Sequence, residues 1–341
     1  MVKQRIDVHH HFVPPFYAQA LKEGGGDPSG WTIPDWSLEK DIKFNDEENI
    51  AFTFLTITAP GAGILSHNEE QVRFCRKANE YAAGICSSHP KRYGFFATIP
   101  SLLDPVSAHA EIIYAHERLG ADGIILYTRY GQGNHYLGHP DFKSTWDLLE
   151  SRGVVVFVHP THPVDTSLVN ASLPQPMIDY PHETTRTAID LIISSTIRSH
   201  PNVKIILSHA GGTLPYLALR PATMLPYIPS ETSSLANGSK EKQNCLSATE
   251  LMSNFMEDAQ SFYYDTALSN SPLQLALLKD FAHPGHILFG SDFPYAPTPA
   301  IRHMNRLLDE YGGKDEDLVY SINIASALKL FPRLSGVLGS S

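Results

Sequence analysis

The feature that most limits what this chain can become is an alternation. Eight short apolar, β-branched runs, each bounded by turn residues, are separated by longer stretches with helical patterning. The runs fall at 5–12, 51–58, 94–100, 123–128, 154–159, 204–209, 262–267 and 286–292. Several are almost unbroken, such as Gly153-Val-Val-Val-Phe-Val-His159, and strands buried on both faces read this way, as they do in parallel sheets. Helical patterns are predicted over 69–87, 105–119, 141–152, 182–199, 213–227, 272–282 and 298–310. Asp104 before Pro105 is an N-terminal cap signal, and Gly153 closes the third pattern. Eight strand–helix units predict an α/β fold of the closed (β/α)8 TIM-barrel type. An open doubly wound sheet competes, but its glycine-rich phosphate turn is missing after the first run.

A chain of 341 residues fits one such barrel, with the domain spanning 1–334. The segment 14–36 is rich in Gly and Pro and carries Trp31 and Trp36. It follows the first strand at the catalytic end of a barrel, and reads equally as a lid-like insertion and as a plain surface loop. The Ser-rich stretch 229–247 is predicted to be a surface loop, and 335–341 a disordered tail. With 42% hydrophobic and 18% charged residues the chain can bury a large core. A net charge of -10 and the lack of any basic stripe exclude a general nucleic-acid binder. No apolar stretch is long enough to span a bilayer, and Met1–Asp7 shows no apolar leader core, so no membrane partner and a cytoplasmic location are expected. Cys75 and Cys86 lie on one predicted helix, about 16 Å apart by helical rise, too far for a disulfide. With Cys245 they form a sparse, odd set, as in a reducing compartment.

Seventeen histidines are many, and their placement carries the chemistry. Strand 1 ends Asp7-Val-His9-His10-His11. Side chains alternate across a strand, so His9 and His11 share a face, roughly 6.6 Å apart along it, and His10 takes the other. Strand 5 ends at His159, strand 6 at His209 and strand 8 at Asp292. All strand C-termini of a parallel barrel open on one face, so these residues meet in one mouth. Three imidazoles and a carboxylate suit a single divalent metal ion, Zn2+ first and Mn2+ or Fe2+ next. His89, His109, His116, His139, His200 and His283 sit in helical or turn stretches and are expected to be solvated. His162 and His182 lie near the mouth after strand 5 and read first as structural, with support of the metal ligands from behind as the other reading.

Together these segments resemble the amidohydrolase superfamily, and more closely its decarboxylase branch, typified by aminocarboxymuconate-semialdehyde decarboxylase. The matching text is Ile6-Asp-Val-His-His-His-Phe-Val-Pro14, Val158-His-Pro160, Leu207-Ser-His-Ala-Gly-Gly-Thr-Leu-Pro-Tyr216, Phe289-Gly-Ser-Asp-Phe-Pro294 and the closing Asn323–Phe331. Trp31-Thr-Ile-Pro-Asp-Trp-Ser37 is similar to the text found after strand 1 in fungal 6-methylsalicylate decarboxylases. The resemblance implies a metal held by His9, His11, His159 and Asp292, with His209 as an acid–base or substrate-orienting group. Two-metal members of the superfamily carry a strand-4 lysine; Gly123–Arg129 has none, which implies one metal. It also implies a homodimer, in which an arginine at the position of Arg220 serves its own or a neighbouring pocket; an ion pair on the helix surface is an equal reading of that residue.

The expected reaction is non-oxidative decarboxylation of a small ortho-hydroxy aromatic carboxylic acid, 6-methylsalicylate to 3-methylphenol and CO2. Asp292 is expected to protonate the ring carbon, with His209 beside it. Arg220, Trp36, Phe293 and Tyr295 are the candidate substrate-binding residues, the aromatic three as stacking faces. An amide or lactone hydrolase would use the same ligands to activate water, and a silent ligand-binding barrel would have lost His209 or Asp292.

Overall fold

The computed structural model describes residues 4–228 and 246–338. All eight expected strands are present: β1 (Arg5–His11), β2 (Ile50–Thr56), β3 (Tyr93–Thr98), β4 (Gly123–Tyr127), β5 (Val155–His159), β6 (Lys204–Leu207), β7 (Tyr263–Asp265) and β8 (Ile287–Leu288). They form one parallel sheet in sequence order. The sheet closes where β1 meets the chain after β8: Val8 N donates to Phe289 O at 3.0 Å and His11 N to Phe293 O at 2.7 Å. The result is a (β/α)8 barrel. Its interior is filled by Ile6, Val8, Phe54, Phe96, Phe157, Ile206 and Leu288, all fully buried or nearly so.

Local signals act where they were read. Asp104 accepts from Ser107 N and opens the helix Pro105–Arg118. Gly153, with φ 58°, ends Lys143–Arg152 in the left-handed conformation that glycine adopts without strain. A signal not read in advance opens Pro272–Phe281, where Ser271 and Gln274 form a capping box.

Several boundaries differ from the sequence reading. The helix expected at 182–199 starts at Asp179 and breaks after Ile193, where Ser195 takes φ 59°. The one expected at 213–227 is two short helices, Leu214–Leu217 and Leu219–Met224, and a turn. Prolines at 215, 221 and 226 each remove a donor from it. Helices Leu38–Glu47 and Ala248–Ser261 were not anticipated, nor was Pro15–Glu23 inside the 14–36 insertion. Ser247, at the end of the expected 229–247 loop, caps Ala248–Ser261, while 229–245, with Cys245, lie outside the described residues. The tail expected to be disordered instead begins with a helical turn, Leu334–Leu338, anchored by fully buried Leu334; 339–341 lie outside the described residues. His200 is buried rather than solvated, bonding Thr196 O at 2.7 Å and Asp147 Oδ1 at 3.1 Å. Cys75 and Cys86 are both free. Among the described residues no helix is long and apolar enough to cross a membrane.

Candidate metal centre

β1, β5 and the turn after β8 bring His9, His11, His159 and Asp292 together, each offering one atom within 4.8 Å of the others. His9 Nε2 lies 3.2 Å from His11 Nε2 and 3.4 Å from Asp292 Oδ1; His11 Nε2 lies 3.2 Å from Asp292 Oδ1. Ligand atoms about 2.1 Å from a tetrahedral Zn2+ would stand about 3.4 Å apart.

The other ring nitrogens explain why these atoms converge. His9 Nδ1 donates to Asp265 Oδ2 at 2.9 Å and His159 Nδ1 to Pro160 O at 2.8 Å. His11 Nδ1 meets Thr56 Oγ1 at 2.7 Å, and that hydroxyl already donates to His10 O, so it accepts from His11. All three rings thus hold Nδ1 in a fixed bond and turn Nε2 inward, the arrangement typical of histidine ligands. Gly290 is required here, because a Cβ on it would come within 2.7 Å of His9 Cβ. Asp292 itself takes φ 63°, and its N–H donates to His9 O at 2.8 Å, so the closing hydrogen bonds of the barrel place the carboxylate.

The electrostatics favour a cation. Burial opposes charge on His9, yet the carboxylates of Asp265 and Asp292 overcome it and raise the imidazole to about 10. Burial takes His11 down to about 4 and His159 well below the ordinary histidine range, so both are neutral and free to ligate. Burial also works against the Asp292 charge, but His9, His11 and His209 outweigh it and hold the carboxyl well below the usual range. Two carboxylates around buried His9 hold a proton where a metal would replace it. The residues therefore fit one divalent ion.

His209 joins this group. Its ring lies 4.8 Å from that of His9, and Nδ1 donates to Ala267 O at 3.2 Å, leaving Nε2 towards the mouth. It sits in a left-handed run with Ala210, at φ 53° and 56°. A Cβ at Gly212 would run into Pro181 O. Asp265, missed in the sequence, serves both: Oδ2 holds His9, and Oδ1 accepts from His209 N at 3.1 Å.

His10 faces away, as expected from the alternation. It is enclosed by Asp7 Oδ2 at 3.0 Å and Asp41 Oδ2 at 2.9 Å. Asp41 also takes the Trp36 indole N–H at 2.8 Å and the Tyr93 hydroxyl at 2.7 Å. Two of the expected stacking faces thus lie behind β1 instead of over the metal ligands. Trp36 is tied to Asp41, and Phe293 lies flat on Phe44 at 4.0 Å and against His10 at 5.1 Å. Tyr295 does reach the mouth, its ring perpendicular to His11 at 5.6 Å. Arg220 is exposed on Leu219–Met224 and makes no ion pair among the described residues.

The 14–36 insertion is bonded across the mouth. Trp31 Nε1 donates to Tyr295 O at 2.9 Å, and Gln175 N to Ser29 O at 3.1 Å. The loop after β5 is held in turn by Arg129, which donates to His162 O and Pro163 O.

Comparison with known proteins identifies the family. The amidohydrolase family model matches residues 6–333. The chain is 50% identical to a 6-methylsalicylic acid decarboxylase of Penicillium expansum, over 98% of each chain. It is 49% identical to a 6-methylsalicylic acid decarboxylase of Aspergillus aculeatus, over 97% of this chain and 96% of the relative. A solved dihydroxybenzoic acid decarboxylase of Polaromonas, holding manganese and 2-nitroresorcinol, shares the fold with a TM-score of 0.78 at 21% identity, over 97% of each chain. The chain belongs to the amidohydrolase family and to its decarboxylase branch.

Proposed function

We propose that this enzyme removes the carboxyl group of 6-methylsalicylate, giving 3-methylphenol and CO2. The observation that carries the substrate is the 50% identity, running the length of both chains, to the Penicillium expansum decarboxylase of that acid. The centre suits the chemistry. When bound, a divalent cation supplies the positive charge that holds the carboxylate with its ortho oxygen and offsets negative charge in the transition state. His9, His11, His159 and Asp292 would hold it, and their nitrogen-rich donor set favours Zn2+, with Mn2+ the alternative.

Asp292 enters as a carboxylate and takes one proton from solvent as the substrate displaces water from the mouth; each turnover consumes that proton. It passes that proton from a carboxyl oxygen to the ring carbon bearing the carboxylate. The carbon–carbon bond then breaks, its electron pair restores the aromatic ring, and CO2 leaves. His209 Nε2 steadies Asp292 or the substrate carboxylate. Tyr295 flanks the ring.

The enzyme works as a cytoplasmic homodimer in this reading. Tyr216, Leu219, Met224 and Tyr227, each more than half exposed, form an apolar face on the outer helices around Arg220. A second copy covering this face would also cover Arg220, and the resemblance to related decarboxylases implies that this arginine then binds an acidic substrate in its own or the neighbouring pocket. Metal-loaded protein incubated with 6-methylsalicylate should release CO2 and 3-methylphenol in equal amounts. No CO2, with turnover of an amide or lactone instead, would overturn the proposal.

A further inference from the structure

Three polar groups at the mouth are left over by the metal ligands. Tyr180, at the start of Asp179–Ile193, is 5% exposed, and its ring stands 6.3 Å from His159 and 6.2 Å from His162. Tyr295 stands over His11 from the opposite loop. Both hydroxyls are buried and make no hydrogen bond of normal geometry among the described residues, although the Ser29 side chain comes close to that of Tyr180. His162 Nε2 is likewise buried without a partner. Burying three such groups unbonded costs free energy, so a mouth that keeps them is shaped for something that bonds them.

Their chemistry is specific. Burial, with the carboxylates of Asp27 and Asp292 nearby, pushes both phenols upward, so each is a neutral donor. Burial lowers His162, and its Nδ1 donates to Gln175 Oε1 at 2.9 Å. Nε2 therefore carries a lone pair and can only accept. Two donors and one acceptor surround the centre. An ortho-hydroxy aromatic acid presents the complement, a carboxylate that accepts and a hydroxyl that donates.

We propose that Tyr180 and Tyr295 donate hydrogen bonds to the substrate carboxylate while His162 Nε2 accepts one from its ortho-hydroxyl, so that these three residues select ortho-hydroxy acids over other benzoates. The inference rests on the decarboxylase reading for the class of ligand. His162 and Tyr180 reach the mouth from the segment that follows β5, and Tyr295 from the loop after β8; the insertion clasps both segments, through Gln175 N to Ser29 O and Trp31 Nε1 to Tyr295 O.

The test uses the unreactive probe 3-methyl-2-nitrophenol, in which a nitro group replaces the carboxylate, and its O-methyl ether. Binding to metal-loaded protein is measured by calorimetry, with metal content and thermal unfolding recorded for each variant. Y180F and Y295F should each weaken nitrophenol binding about fivefold, the worth of one neutral hydrogen bond. Wild type should prefer the phenol to the ether by a similar factor. H162F should abolish that preference, and H162Q, which keeps an acceptor, should restore part of it. Tyrosine variants that keep their metal and bind like wild type would overturn the inference. So would an H162F that still prefers the phenol, or a wild type that ignores the probe. If binding follows the tyrosines but 6-methylsalicylate yields no CO2, the reaction is wrong and the recognition frame stands.

Discussion

The two faces of β1 carry the same side chain and put it to opposite uses. His9 and His11 point into the mouth, each with Nδ1 held from outside the group and Nε2 turned to the centre shared with Asp292. His10, between them, has both nitrogens bonded by aspartates and is fully buried. A histidine becomes a ligand when its neighbours occupy one nitrogen and a structural cation when they occupy both. The rear face nevertheless supports the front. Asp7 Oδ1 accepts from His9 N at 3.2 Å and from Ser291 N at 3.0 Å, tying the ligand strand to the turn that carries Asp292.

The sharpest break comes from the front. Asp292→Asn removes a ligand and the proposed acid together, and decarboxylation should fall roughly 10³-fold or more. Metal content, read by elemental analysis, should fall too, while thermal unfolding keeps its single transition. Full turnover in this variant would remove Asp292 from the chemistry. The rear face should respond in stability instead. Asp41→Ala leaves His10, Trp36, Tyr93 and Asn45 without their shared carboxylate. Unfolding in denaturant should show a loss of about 3–5 kcal/mol, the cost of breaking a buried ion pair. Metal should still bind at low temperature; an Asp41→Ala protein that folds normally but is metal-free would erase the distinction between the faces.

The rear face also predicts a dependence on pH. Burial opposes the His10 charge, but Asp41 and Asp7 overcome it and raise the imidazole to about 9. A proton held more tightly in the folded than in the unfolded chain stabilises fully below about pH 6.5, and the benefit is lost as pH rises through about 9. In metal-loaded protein, where His9 is a ligand, unfolding free energy should fall by up to about 3 kcal/mol across that window. The Asp41→Ala variant should lose most of that slope. An equal slope in both proteins would place the titration elsewhere.

What could be read in advance follows from the same alternation. The barrel and the gathering of His9, His11, His159 and Asp292 were legible because parallel strands all end on one face, so a polar residue closing an apolar run has one destination. The parity that sends His10 backwards applies to Phe293 as well: the two are bridge partners across the seam, on the side away from Asp292. An aromatic residue beside a ligand therefore reads better as rear packing than as a stacking face. Asp41 was hidden because Leu38-Glu-Lys-Asp-Ile-Lys-Phe-Asn-Asp-Glu47 reads as a solvated segment, although its one apolar edge buries Asp41, Phe44 and Asn45. Tyr180 was hidden because the helix expected to start at 182 starts at Asp179, and the role of His162, already placed near the mouth, depends on contacts far apart in sequence, such as Ser29 with Gln175.

Asp265 is the case where sequence gave least and the structure gives a measurable answer. It ends a three-residue strand, fully buried, in a run that reads as ordinary core. Its two oxygens serve different parts of the mouth, Oδ2 the His9 ring and Oδ1 the backbone N–H groups of His209 and Ala267. Asp265→Asn keeps the size and one acceptor while removing the charge that favours a cation at His9. Metal affinity, measured by chelator competition, should fall about 10–100-fold, the usual effect of losing the carboxylate behind a histidine ligand. With metal restored to saturation, the remaining rate defect reports on His209, whose N–H still needs its acceptor. Unchanged affinity would mean that His9 is oriented by packing against Phe157, at 4.9 Å, rather than by its hydrogen bond.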